Sequence, residues 1–156
     1  MIKLKKALLV CFILVSPALM AATESRYERG QNLIFIGEGS LKVFLWRVYD
    51  VRLLSDNQKF SWSNDLVLEF DYQRALKKNA VIEASAKEMR RQKGVTEKQL
   101  SKWQTYLQLA IKPAEKATKA SLYWTAEGRI TFYYDGVKTV TIEDADVARA
   151  FLNIWL

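Results

Sequence analysis

Six side chains carry most of the chemistry this chain can offer: Lys42, Arg47, Tyr49 and Arg52 on one apolar stretch, and Tyr72 with Arg74 at the end of another. A guanidinium grips a carboxylate through two parallel hydrogen bonds, and a phenol adds a further donor. An Arg and a Tyr facing an apolar cavity would therefore suit a fatty acid or an acidic aromatic molecule. Arg74, Tyr49, Tyr72 and Lys42 are the candidate ligand-binding residues. The plainer reading of each is a polar tip that reaches water past an apolar stem.

Other chemistry is scarce. The chain has no histidine, and its one cysteine is Cys11. Ser-His-Asp hydrolases, cysteine proteases, zinc sites and histidine-ligated haem all need residues it lacks. Gly37-Glu38-Gly39 has neither the third glycine nor the following helix of a dinucleotide site, so it reads as a turn. The acidic group Glu143-Asp144-Ala145-Asp146 reads as a helix N-cap, because carboxylates there satisfy free amides and the helix dipole. A calcium loop would need its own ligand spacing and a distal bidentate glutamate. No catalytic residue, metal or cofactor is expected.

The N-terminus bears on location. Lys3, Lys5 and Lys6 precede the apolar run Ala7 to Val15, and Ser16 to Ala22 ends in small residues suited to signal-peptidase cleavage. The run is shorter than the roughly 20 apolar residues of a permanent span. Residues 1–21 are expected to be a signal peptide and 22–156 one domain, exported to the periplasm and without a membrane span after processing. Cys11 lies inside the run rather than at its end, which argues against lipid anchoring.

Half of all residues are apolar, and the five tryptophans and seven tyrosines all lie beyond the leader, so a packed core is expected. The formal charge of +7 falls to about +4 without the three leader lysines, with 21 Lys plus Arg against 17 Asp plus Glu. That surface could favour anions or lipid head groups, although ordinary solubility explains it as well. Nucleic acid is not an expected partner, since no arginine-rich stripe is present.

Period-two alternation places the candidate residues on strands. Leu33 to Ile36 and Leu41 to Leu54 read as two strands joined at Gly37-Glu38-Gly39-Ser40, and Leu66 to Tyr72 as a third. The period then lengthens. Val81, Ile82, Ala86 and Met89 form the stripe of an amphipathic helix ending near Gly94. Thr96 and Gln99 have capping-box spacing at the head of a second helix, whose buried face is Leu100, Trp103, Leu107 and Ile111, and Pro113 ends it.

Alternation returns at Ser121–Thr125, Arg129–Tyr134 and Val137–Ile142, with Asp135-Gly136 as a type I′ turn and Ala126-Glu127-Gly128 as the preceding one. Asp144 caps a last helix with Val147, Ala150, Phe151 and Ile154 inward. The sum is an α+β domain, its helices packed on one side of a mostly antiparallel sheet.

Gly37-Glu38-Gly39, Val48 to Leu53, Phe70-Asp71-Tyr72-Gln73-Arg74, Tyr134-Asp135-Gly136, Thr141 to Phe151 and the closing Asn153-Ile154-Trp155-Leu156 together resemble the exported bacterial branch of the chalcone isomerase-like proteins. The resemblance runs across nearly the whole expected mature chain and implies an open-faced β-sandwich. It also implies a lost active site. The plant enzymes use an arginine after the glycines, a threonine on the long strand, and a helix-borne tyrosine and lysine. Aligned with them, Leu41 stands for the arginine, Phe44 for the threonine and Asn79 for the tyrosine. Ring closure needs a cation and donors aimed at developing negative charge, which leucine and phenylalanine do not supply. Arg74 matches an arginine common in the bacterial branch.

The leading expectation is a non-catalytic periplasmic protein that binds a small apolar or amphipathic anion such as a fatty acid. The alternatives are an intramolecular lyase acting on a flavonoid-like substrate, and an envelope interaction module using the helix face of Arg90, Arg91 and Lys93.

Overall fold

The computed structural model describes residues 32–156, so the expected leader and its cleavage site lie outside the described residues. Six strands follow one another as an antiparallel meander: β1 (Ile34–Val43), β2 (Trp46–Ser55), β3 (Leu66–Tyr72), β4 (Lys119–Trp124), β5 (Ile130–Tyr134) and β6 (Val137–Ile142). Helices α1 (Lys78–Arg90) and α2 (Glu97–Ala110) stand between β3 and β4, and α3 (Ala145–Leu152) follows β6. This is the α+β domain expected from the alternation and its change of period, in the open-faced sandwich arrangement that the family resemblance implies.

The sheet is apolar along its helix-facing side and carries a smaller apolar cluster beside charged rows such as Arg52–Glu69 on the other, as its register shows. On one face, facing the helices, cross-strand rows such as Val51–Phe70–Ala120–Tyr134 and Leu53–Leu68–Leu122–Phe132 line up. They join Ile82, Met89, Trp103, Leu107, Val147 and Phe151 of the helices in the main core. On the other face Leu33, Leu54, Val67, Tyr123 and Tyr133 form a smaller buried cluster. Asp65 is buried beside it and accepts from the Tyr123 hydroxyl at 2.8 Å and the Ala126 amide at 3.0 Å, so its polar atoms are satisfied.

Local chemistry sets the helix ends. The Thr96 capping box forms in both directions, with the Gln99 amide donating to Thr96 Oγ1 and the Thr96 amide to Gln99 Oε1. Asp144 Oδ1 accepts from the amides of Asp146 and Val147 and caps α3. Helix α1 stops at Arg90, and Gly94 completes the turn to α2 at φ +86°. Asp135 and Gly136 both have positive φ, as the type I′ turn requires.

One expected turn moves. Gly37-Glu38-Gly39-Ser40 is not a turn; it is the middle of β1, which runs unbroken to Val43, and the chain reverses at Phe44-Leu45. Gly37 and Gly39 pair with Leu53 and Val51 in the β1–β2 ladder. The strand accommodates them by a bulge between Phe35 and Gly37, a usual place for a strand glycine. A second bulge follows Leu41. Leu41 pairs with Tyr49 and Lys42 with Arg47, leaving Val48 as the extra residue. It is why Val48 and Tyr49, adjacent in sequence, both reach the main core.

Candidate functional site

Between the helix-facing side of the sheet and α1 lies a cavity of about 270 Å³, close to the lower end of ligand-pocket volumes. Its floor is formed by Leu41 and Val43 of β1, Val48 and Tyr49 of β2, Phe70 and Tyr72 of β3, Ala120 and Leu122 of β4, and Phe132 and Tyr134 of β5. Ala80, Val81, Ala84, Ser85 and Glu88 of α1 cover it, with Leu76 and Ile111 beside them. The far wall is Phe151 with the C-terminal Ile154 and Trp155. The sheet register explains the space, because Ala120 stands between Phe70 and Tyr134 and contributes one carbon where its neighbours contribute rings.

Trp155 joins wall to floor. Its indole N–H donates to the Tyr49 hydroxyl at 2.9 Å, and its ring meets Phe70 and Phe151 edge-on at 5.0 and 5.3 Å. Tyr49 in turn meets Phe70 at 5.4 Å and Tyr72 at 5.9 Å. Trp155 is not among the residues expected from the sequence to bind a ligand, although the terminal Ile-Trp-Leu is part of the family resemblance. A signal was available in its spacing, since an indole four residues past Phe151 falls on the same face of a helix and its continuation.

Three phenols are the polar content of greatest interest. The Tyr49 hydroxyl accepts from Trp155, and that of Tyr134 accepts from the Lys112 amide at 3.1 Å, which leaves the hydrogen of each free to donate. The Tyr72 side chain lines the same cavity beside them. Burial raises the pKa of all three. For Tyr72 the shift is large, and the nearby phenols of Tyr134 and Tyr49 add to it. At neutral pH these are uncharged donors in an apolar chamber, suited to an acceptor oxygen on an otherwise apolar ligand.

Of the four candidate binding residues, the structure brings Tyr49 and Tyr72 together in the cavity. Arg74 and Lys42 are not among its lining residues. The Arg74 guanidinium lies over the Trp46 ring at 4.7 Å, outside the chamber. Lys42 is exposed and adjoins Leu41 and Val43, which line the cavity; consecutive strand residues point to opposite faces. The expected guanidinium clamp is therefore not formed at this site. Glu88 is the one charged lining residue, and its carboxylate accepts from Arg91 at 3.2 Å.

The groups aligned with the isomerase set are scattered too: Leu41 lines the cavity, Phe44 lies in the exposed turn rather than on the strand, and Asn79 is exposed on α1. Arg90 and Arg91 of the expected docking face are paired to Glu97 and Glu88. Among the described residues no cluster of three metal-binding side chains occurs, and no helix is long and apolar enough to cross a membrane.

No protein-family profile and no curated protein matches the chain. Among solved structures, a fatty-acid binding protein of Arabidopsis thaliana is similar, with a TM-score of 0.58 at 12% identity over 79% of this chain and 79% of that one. The likeness establishes a shared chalcone isomerase-like fold.

Proposed function

We propose that this chain is an exported, periplasmic, non-catalytic protein whose cavity binds an acyl chain or a ligand of similar shape, with an acceptor oxygen against the phenols. The observation that carries the reading is the 270 Å³ chamber lined by aliphatic and aromatic side chains and holding Tyr49, Tyr72 and Tyr134. The fatty-acid binding activity named for the Arabidopsis protein of the same fold supports it. Without a cation among the lining residues, an ionised carboxylate deep inside would be unpaired. The head group is accordingly neutral when enclosed, or charged only at the open side marked by the exposed Ala80 and Ala84. The same lack of positive charge weighs against ring closure through an enolate.

Titration with saturated acids, alcohols and methyl esters of increasing length, read by native mass spectrometry, tests the proposal. Saturable one-to-one binding is expected, strengthening about fourfold per methylene until the chamber is full and then levelling. Absence of saturable binding, or affinity independent of chain length, would overturn it.

A further inference from the structure

The turn between β1 and β2 is built against the interests of the folded monomer. Phe44 holds φ at 55°, a region that bulky side chains avoid and where a hairpin turn usually has glycine. Phe44 is 81% exposed, Leu45 96% and Trp46 62%, and Val43 beside them is also exposed. Consecutive apolar residues presented this way gain nothing from the core of this chain. Just behind them Lys42 and Arg47 face each other across the ladder, a like-charge pair that weakens a hairpin, and Arg74 stacks on Trp46. Arg47 is partly offset by Asp50 at 3.3 Å.

From these features we infer that the Phe44-Leu45 hairpin tip docks on an anionic phospholipid bilayer. Phe44 and Leu45 enter the acyl boundary, Trp46 lies at the head-group level, and Lys42, Arg47 and Arg74 meet lipid phosphates. The order along the hairpin matches the order of a membrane surface, with apolar tip, then indole, then cations. An anionic surface attracts both Lys42 and Arg47 and so offsets their mutual repulsion, which answers the charge pattern where a neutral apolar partner would not. Val43 and Leu41, one and three residues behind Phe44, line the cavity, so the docked tip would hold the chamber against the lipid. Docking does not depend on the cavity being filled, because binding to vesicles reads the tip alone.

The test is flotation of the chain recovered after export with vesicles of phosphatidylglycerol and phosphatidylethanolamine, and separately of phosphatidylcholine. Replacing Phe44→Asn together with Leu45→Ser should lower partition into anionic vesicles on the order of 30-fold. Asparagine tolerates positive φ, so the turn survives. Leu109→Ser, which removes another exposed apolar side chain, on α2, should change nothing. Lys42→Gln with Arg47→Gln should cost about 30-fold on anionic vesicles and almost nothing on phosphatidylcholine. The inference is overturned if the tip variant floats like the unaltered chain, if the charge variant loses equally on both vesicle types, or if the tip variant abolishes self-association while neither protein binds vesicles.

Discussion

Replacing Ala120→Leu adds three carbons at the floor of the chamber, between Phe70 and Tyr134. At roughly 30 Å³ per carbon, the added carbons displace about 90 Å³ of ligand. A ligand that filled the space loses room for about three methylenes, or about 2.4 kcal/mol at about 0.8 kcal/mol each, which is on the order of 60-fold in affinity. Stability does not fall with it. An enclosed void would return about 24 cal/mol per Å³, but this chamber is open at one side, so the unliganded variant should hold its stability or gain less than about 2 kcal/mol.

Ala148→Leu supplies the contrast. Ala148 is fully buried in α3 but is not among the cavity-lining residues, so the same three carbons there should overpack and cost about 1–3 kcal/mol. Denaturant melts of both variants without ligand, together with titration of Ala120→Leu against a medium-chain acid or ester, check the pair. Destabilisation by Ala120→Leu as large as that by Ala148→Leu, or an unchanged affinity, would show that Ala120 does not border space a ligand uses.

Three further outcomes are expected. Tyr49, Tyr72 and Tyr134 have pKa values raised by burial above the ordinary 10, so the folded state retains protons that the unfolded chain releases. Their contribution to stability is complete below pH 10 and is lost as pH rises past it, so tyrosinate absorbance should show a late group of phenols ionising with alkaline unfolding rather than all titrating together near 10. Gly128→Ala should destabilise by more than about 2 kcal/mol, because φ is +91° and the new Cβ would lie 2.8 Å from that of Ala145; Gly94→Ala, at φ +86° with open space around it, should cost only about 1 kcal/mol, and equal melts would deny the contact. Tyr123→Phe should cost about 1–3 kcal/mol by removing a donor to the buried Asp65, and an unchanged melt would show that this bond is dispensable.

The composition and periodicity of this chain determined a good deal unaided. Alternation and its change to a helical period located six strands and three helices in order, and capping chemistry at Thr96 and Asp144 and the Asp135-Gly136 turn marked boundaries that the structure keeps. These are local preferences, decided within a few residues. The first hairpin was misplaced for a related reason: two glycines spaced in an apolar run suggest a turn, whereas Phe44 has no turn propensity and takes positive φ only because the flanking ladder holds it there.

Only the tertiary structure decided which of the candidate groups share a site. Tyr49 and Tyr72 meet because β2 and β3 pair them directly, and Trp155 reaches Tyr49 across 106 residues. Arg74, two residues past Tyr72, is instead held outside by Trp46. Sequence order states which side chains exist and on which element they ride. Bulges, register and the void left by one alanine between two rings are properties of how elements stack, and they set where a ligand has room.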